Sequence, residues 1–397
     1  MNKKISLLIS TLFLLSCALF YYAYEKNFFK KSLYMTTQFE FPPLSGSYGV
    51  GVTQRYIKTQ RQDPHAPSTN RELMVNIYYP AQTDKNTLSP YSQEDIADVQ
   101  TTFKMFGLDE QQLAQLKRVY THAIPDASTL KTDKPFPVIF FEHGYVGCLP
   151  SSYTAICSEL SSHGYVVIAT AHTYFASKVC FPDGRSIATA PEKYSVSPEQ
   201  MPAEQEVWLA DAHNVLEHIT RYTNDPHDRF YHYFDINRMG ALGHSFGGAT
   251  AYLLCSHDTH FKAGIDLDGS LIGVDSPTDL KKPFMFVWAE NTIRFFDRSD
   301  EELATEQPIE RIRLFRKAFE TTYHAQAPNI VQKTIPGLSH GGFSDRLVLN
   351  ELLPEKNSKT VPAEKNYLYF MATGNVEGFA TMNMICTMIV DFFNKNV

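Results

Sequence analysis

The sequence predicts an α/β fold, built on a mostly parallel central sheet with helices on both faces. Short, continuously apolar runs such as Pro137–Phe141 and Tyr165–Ala171 alternate with segments of helical periodicity. Strands that are apolar throughout are typical of a parallel sheet that is covered on both sides. In addition, Ser245 stands between Gly243 and Gly247, directly after an apolar run and before a helix-like one. This junction is the most specific indication of the fold class.

The individual elements follow from hydrophobic period and from residue type. Strands are predicted at Tyr48–Tyr56, Met74–Tyr79, Pro137–Phe141, Tyr165–Ala171, Met239–Leu242, Phe261–Leu267, Pro283–Trp288 and Ile330–Ile335. Single helices are predicted at Ser151–Ser162, Glu204–Ile219, Phe246–Cys255 and Val376–Phe393. Gln60–Asn70 is predicted as a polar turn between the first two strands, and Glu94–Thr121 as a pair of covering helices. No linker composition divides the chain, so residues 40–397 are predicted to form one domain.

The first 31 residues have the composition of a targeting segment. Lys3 and Lys4 precede the apolar run Ile5–Ala23, and three further lysines follow it. Three interpretations stay open: a cleaved secretory signal, a lipoprotein signal with Leu14-Leu15-Ser16-Cys17 as its lipobox, or an uncleaved membrane anchor. All three predict export, and the last two predict membrane attachment through this segment.

Composition excludes some classes of function. The net charge is -7 and no basic block occurs, which argues against nucleic acid as a partner. No C-x-x-C or H-E-x-x-H spacing is present, so neither a metal nor an organic cofactor is predicted. Cys148 and Cys180 both follow strand-like runs, and a disulfide between them is a hypothesis that export would permit. The sequence carries no signal for an oligomeric state.

The G-x-S-x-G pattern predicts that Ser245 is a nucleophile at a sharp strand-to-helix turn, as in α/β-hydrolases. Serine then needs a base, and the base needs an acid that orients it, in the chain order Ser, Asp or Glu, His. His340 follows the last predicted strand in a glycine-rich loop and is the predicted base. Asp268 closes the strand after the serine and is the favoured acid; Glu290 and then Asp266 are the alternatives.

A tetrahedral oxyanion requires two backbone N–H donors that point at one position. The residue after the nucleophile, Phe246, is predicted to supply one of them. The turn Glu142-His143-Gly144-Tyr145 follows a central strand, and Tyr145 is predicted to supply the other. His143 is interpreted as a structural residue that hydrogen-bonds within this turn.

With these motifs the chain resembles the platelet-activating factor acetylhydrolase family. The resemblance covers roughly Tyr48 to the C-terminus. The matching segments are Gly243–Thr250, His143–Gly144, Tyr48–Thr53, Ile77–Pro80, Ser161–Val167 and Gly264–Asp268. It implies an α/β-hydrolase with Ser245, Asp268 and His340 as its triad and with Tyr145 and Phe246 as oxyanion donors, and it favours Asp268 over Glu290.

These observations predict an exported serine esterase. Its expected substrate is the short or oxidised sn-2 acyl ester of a phospholipid that resembles platelet-activating factor. A general carboxylesterase or polyester hydrolase of the same fold is the alternative prediction. A non-catalytic binding module of this fold is a third, although such modules commonly lose a triad residue and this chain has all three.

Overall fold

A computed structural model describes residues 38–91, 110–272, 274, 277–303, 309–353 and 371–397. Residues Glu40–Val397 form one compact unit, and Met1–Phe39 form a separate unit of which only 38 and 39 are described. The predicted targeting segment, including Cys17, therefore lies outside the described residues. So does the larger part of the predicted helix pair at Glu94–Thr121.

The described residues alternate between strands and helices along most of the chain. The strands are β1 (Phe39–Glu40), β2 (Gly49–Asp63), β3 (Ala66–Ala81), β4 (Ser89–Pro90), β5 (Val119–Thr121), β6 (Ala123–Pro125), β7 (Phe136–Glu142), β8 (Val166–Ala171), β9 (Lys178–Cys180), β10 (Ser186–Ala188), β11 (Phe234–His244), β12 (Phe261–Leu267), β13 (Phe284–Ala289) and β14 (Ile330–Ile335). The α-helices are α1 (Glu110–Gln115), α2 (Thr154–Ser162), α3 (Met201–Asn224), α4 (Phe246–His257), α5 (Glu290–Phe296), α6 (Asp300–Leu303), α7 (Ile309–Tyr323), α8 (Arg346–Leu352) and α9 (Gly378–Asn396).

Nine of these strands form one sheet in the order β14-β13-β12-β11-β7-β8-β3-β2-β6. The six strands from β14 to β8 are parallel, whereas β3 runs antiparallel to both β8 and β2. In the centre, Gly243 of β11 pairs with Glu142 of β7 on one side and with Asp266 of β12 on the other. The predicted mostly parallel sheet is confirmed, and its central strands end at one edge.

The central strands are buried because helices cover them. Every residue of β8 and β13 is buried, as expected for apolar strands in a parallel sheet. Helix α3 packs its apolar residues on the sheet, and Trp208, Val215 and Ile219 of this helix have no exposed surface. Burial of these large side chains is the main stabilisation of the sheet, at about 25 cal/mol per Å² of apolar surface.

The predicted polar turn at Gln60–Asn70 is wrong. Strand β2 continues to Asp63 and strand β3 begins at Ala66, so only two residues, 64 and 65, connect the strands of this hairpin. Arg71 has no exposed surface, and it forms ion pairs with Asp63 and with Asp211 of α3. Six of the eleven residues 60–70 are exposed, so the segment is polar because it faces water, while its backbone is paired across the hairpin, as Gln62 is with Asn70.

The described end of the predicted helix pair also differs. After α1, the chain forms the short strand β5, in which Thr121 pairs with Ser89 of β4. Val119 and Thr121 are buried while Tyr120 between them is partly exposed. This alternation, with a β-branched residue on either side of an aromatic one, is typical of a strand.

The hypothesis of a Cys148–Cys180 disulfide is also wrong, because the structure joins no pair of described cysteines. Cys148 is buried and Cys180 is exposed. Packing of Cys148 beside the backbone of Gly144 explains its position, since a Cβ on Gly144 would lie 2.9 Å from its sulfur. Within the described ranges, no helix is long and apolar enough to cross a membrane.

Candidate active site

Ser245 occupies the sharp turn between β11 and α4. Its backbone is left-handed, with φ 59° and ψ -124°, a conformation that costs energy in a residue other than glycine. Two glycines permit the turn: a Cβ on Gly243 would lie 2.0 Å from the carbonyl oxygen of Gly247, and one on Gly247 would lie 2.2 Å from that of Glu142. Both contacts are shorter than any real Cβ contact, so the G-x-S-x-G spacing is a steric requirement here.

Asp268 and His340 form a hydrogen-bonded pair at the same edge of the sheet. Asp268 directly follows β12, and its Oδ2 lies 2.8 Å from Nδ1 of His340. The carboxylate also accepts hydrogen bonds from the Ala289 N–H at 2.8 Å and from the Thr292 hydroxyl at 2.5 Å. These donors fix the carboxylate as an acceptor, so His340 donates from Nδ1 and carries its proton-accepting lone pair on Nε2.

Ser245 lies beside this pair, because its backbone bonds to the residue before Asp268 and the residue before it bonds to His340. The Ser245 N–H donates to the carbonyl of Leu267, the residue before Asp268, at 2.8 Å. The ring of His244, the residue before the serine, reaches the carbonyl oxygen of His340 with its Nε2 at 3.0 Å. The structure therefore brings the three predicted residues to one place, and their catalytic roles stay predictions.

The two alternative acids have other contacts. Glu290 accepts a hydrogen bond from the Gly337 N–H at 2.7 Å and pairs with Arg294 at 2.8 Å. Asp266 accepts from the Gly269 N–H at 2.7 Å, and burial raises its pKa well above the ordinary value of an aspartate. Burial thus disfavours a charge on Asp266, whereas Asp268 is the carboxylate that is bonded to the ring of His340.

The predicted oxyanion turn contacts the start of α4. Carbonyl oxygens of Glu142 and His143 lie against Gly247, and the rings of Tyr145 and Phe246 are 4.7 Å apart between centroids. Phe246 is the first residue of α4, and the N–H groups of a helix's first turn have no acceptor within the helix. The structure thus places the side chains of Tyr145 and Phe246 in contact, and their roles as oxyanion donors stay predictions.

His143 is held within this turn, as its interpretation from the sequence expects. Its Nδ1 donates to the carbonyl of Gly144 at 2.6 Å, and its Nε2 accepts from the N–H of His172 at 3.3 Å. Complete burial lowers the pKa of His143 to about 3. The ring therefore stays neutral, and both of its nitrogens already have partners.

A hydrogen-bond relay that the sequence analysis missed connects the oxyanion turn to the loop of His340. The Gly144 N–H donates to the Tyr153 hydroxyl at 3.2 Å, and that hydroxyl donates to Nδ1 of His244 at 2.9 Å. His244 then donates from Nε2 to the carbonyl of His340. The only signal in the sequence is the place of His244 inside the G-x-S-x-G motif; nothing local identifies Tyr153.

No group of three or more His, Cys, Asp or Glu side chains in the described part of the chain is arranged to hold a metal ion.

Comparison with known proteins places these features in a family. The family model described as platelet-activating factor acetylhydrolase, isoform II, matches residues 33–213 and 213–304. This span includes Ser245 and Asp268, and His340 lies beyond it.

Individual relatives agree with this match. The platelet-activating factor acetylhydrolase of Canis lupus familiaris is 24% identical over 348 residues, which cover 78% of this chain and 69% of the relative. That of Cavia porcellus is 27% identical over 63% of this chain and 60% of its own length. A probable 1-alkyl-2-acetylglycerophosphocholine esterase of Arthroderma benhamiae is 34% identical over a shorter stretch, 33% of this chain and 32% of its own.

Among solved structures, a ferulic acid esterase from Streptomyces cinnamoneus superposes with a TM-score of 0.67. The superposition covers 91% of this chain and 94% of that one, at 23% sequence identity. At this identity the likeness concerns the fold, and the chain has the α/β-hydrolase fold that its strand order indicates.

Proposed function

The chain belongs to the platelet-activating factor acetylhydrolase isoform II family, and we propose that it is a serine esterase with a Ser245–His340–Asp268 triad. Its proposed substrates are phospholipids of the platelet-activating-factor type, cleaved at a short-chain or oxidised sn-2 acyl ester. The observation that carries the proposal is the 2.8 Å contact between Asp268 and His340 beside a serine on a strained turn. The names of the mammalian and fungal relatives support the substrate class.

In the proposed mechanism, Ser245 Oγ attacks the carbonyl carbon of the sn-2 ester while His340 Nε2 takes the hydroxyl proton. Asp268 holds the ring and stabilises the imidazolium through Nδ1. The backbone N–H groups of Phe246 and Tyr145 bind the oxyanion of the tetrahedral intermediate. The ester bond then breaks, and the imidazolium gives its proton to the departing lysophospholipid alcohol.

The second half of the reaction repeats these roles with water. His340 removes a proton from a water molecule, which attacks the acyl-enzyme at the same carbonyl carbon. Collapse of the second tetrahedral intermediate releases the carboxylic acid and returns the proton to Ser245. These steps use only groups of the protein and require neither a metal nor an organic cofactor.

A substrate panel tests this proposal. Wild type and Ser245→Ala are compared on an acetylated ether phospholipid, on its long-chain sn-2 counterpart and on p-nitrophenyl acetate. We expect wild type to hydrolyse the acetylated phospholipid faster than the long-chain one, and Ser245→Ala to hydrolyse neither. Turnover of p-nitrophenyl acetate alone would indicate a general carboxylesterase or polyester hydrolase. No turnover and no reaction with a fluorophosphonate would indicate a non-catalytic module.

We further propose that the protein is exported and attached to a membrane through its first 31 residues. The lysines and the apolar run of that segment support this, together with the lipobox-like residues before Cys17. Intact-mass measurement of the membrane fraction of expressing cells tests the attachment. A mature chain that begins at acylated Cys17 or at Met1 agrees with the proposal, whereas a chain found only in the cytosol contradicts it.

A further inference from the structure

A network of fully buried charges lies beside the oxyanion turn and has no role in the mechanism above. Glu142, His172, Asp211 and Arg71 have no exposed surface. Glu142 ends β7, His172 follows β8, Asp211 lies on α3 and Arg71 lies on β3. The network therefore joins four elements behind the active site.

His172 is the centre of this network, because both of its ring nitrogens face carboxylate oxygens. Its Nε2 lies 2.6 Å from Oε2 of Glu142, and its Nδ1 lies 3.0 Å from Oδ2 of Asp211. Hydrogen bonds from both ring nitrogens to carboxylate oxygens are made by the imidazolium form of the ring. The two hydrogen-bonded carboxylates raise the pKa of His172 against the opposing effect of burial. The indole of Trp208 stacks on the ring at 3.8 Å.

The other end of the network is anchored in the sheet. Arg71 donates from Nε and Nη2 to the two oxygens of Asp211, at 3.0 and 2.7 Å. Its Nη1 donates to the carbonyl of Thr173, the residue after His172, at 3.0 Å. These two parallel hydrogen bonds fix the orientation of the Asp211 carboxylate. They therefore also fix the direction of its hydrogen bond with the His172 ring.

His172 holds the oxyanion turn at two points. Its side chain bonds to the carboxylate of Glu142, and its backbone N–H donates to the ring of His143 at 3.3 Å. These two residues begin the turn whose Tyr145 is the proposed oxyanion donor, and their carbonyl oxygens pack on Gly247. A small rotation of the turn would change both the direction of the Tyr145 N–H and its distance from the oxyanion.

We propose that His172, acting through Glu142 and His143, is a positioning residue that fixes the oxyanion turn for catalysis. The inference rests on the proposed esterase function and deepens it. Buried ion networks contribute little net stability compared with apolar packing, so stability alone gives no account of four buried charges at this place. Positioning of the oxyanion turn does account for them, because displacement of a hydrogen-bond donor by about 1 Å can lower the rate about a hundredfold.

The experiment compares His172→Gln with His122→Gln, a matched control. His122 is also buried and contacts a backbone carbonyl, that of Phe41, but it lies beside the edge strand β6. We expect His172→Gln to lower kcat on the acetylated phospholipid by about a hundredfold with little change in KM. Affinity for a trifluoromethyl ketone, which forms the oxyanion adduct, falls by a similar factor. His122→Gln lowers Tm without either effect.

Two variants of Glu142 test the same proposal if His172→Gln does not fold. Glu142→Gln retains an acceptor for the His172 ring, whereas Glu142→Ala removes it. We expect Glu142→Gln to retain most of the kcat that Glu142→Ala loses.

Two failures are distinguishable. If wild type has no esterase activity, the proposed function falls. If wild type is active and both His172→Gln and Glu142→Ala keep kcat while only Tm decreases, the positioning role is overturned.

Discussion

Two buried histidines in the described part of the chain hydrogen-bond to carboxylates, and they differ in how the protein surrounds them. His340 lies in a loop at the edge of the sheet, keeps 10% of its side chain exposed and bonds to one carboxylate, Asp268. His172 has no exposed surface and lies between two carboxylates, Glu142 and Asp211. A base must accept a proton on one ring nitrogen, and His172 has a carboxylate against each of its two. A histidine bonded to a carboxylate is thus the proposed base in one place and the proposed positioning residue in the other.

The largest expected effect concerns the base. His340→Gln should lower kcat by roughly 10⁶-fold, as loss of the general base does in a serine hydrolase. His172→Gln, by contrast, should lose only about a hundredfold. Steady-state rates on the acetylated phospholipid measure both. Equal losses in the two variants would contradict the division between base and positioning residue.

The next effect concerns the acid beside His340. Asp268→Asn should lower kcat by about 10⁴-fold, because an amide stabilises the wrong tautomer of the ring. Glu290→Gln is the control: Glu290 contacts Gly337 and Arg294, and its replacement should leave kcat near the wild-type value. The reverse order of activities would assign the acid to Glu290.

A smaller effect, on stability, is expected where His172 is anchored. Asp211→Asn removes the buried carboxylate that Arg71 and His172 share, and should lower the free energy of unfolding by about 3–5 kcal/mol. Asp228→Asn, at the part-exposed pair with Arg55, should cost less than about 1 kcal/mol. Denaturant titration of both variants measures the difference. Similar losses would contradict the larger stability cost that we expect for the buried network.

The smallest effect concerns Asp266, a carboxyl with no histidine partner. Its pKa in the folded protein is raised well above the value of about 3.9 in the unfolded chain. The folded protein therefore holds a proton that the unfolded chain loses, and stability falls as the pH rises above about 4. Asp266→Asn removes this dependence, so the Tm of the variant should increase relative to that of wild type as the pH rises. Parallel Tm profiles would contradict a raised pKa of Asp266 in the folded protein.

Features that depend on local sequence were predictable. The predicted bounds of β12 and β14 match the observed ones. β12 is buried except at Lys262, as an apolar strand in a parallel sheet is, whereas β14 is a partly exposed edge strand whose β-branched residues indicate it. Ser245 follows from two glycines that the turn requires. Asp268 and His340 follow from chain order, since the parallel strands that carry them end at one edge of the sheet.

Features that depend on distant partners were not predictable. Arg61 and Asp211 are 150 residues apart, and their ion pair leaves no local signal in the polar segment that was predicted as a turn. The relay from Tyr153 through His244 likewise spans 91 residues. Helix α7 is a different case, because the spacing of its buried residues Ile312 and Phe319 was visible, but charged neighbours weaken the pattern. Hydrophobic periodicity is visible in the sequence, whereas polar contacts between distant segments are not.

The central claim is that Ser245, His340 and Asp268 act as one unit, and covalent labelling tests it most directly. Folded wild type is treated with a fluorophosphonate, digested and mapped by mass spectrometry, with Ser245→Ala and His340→Gln in parallel. We predict one adduct, on the peptide that contains Ser245, with none in Ser245→Ala and much slower labelling in His340→Gln. An unlabelled wild type, or an adduct that persists in Ser245→Ala, would contradict the account.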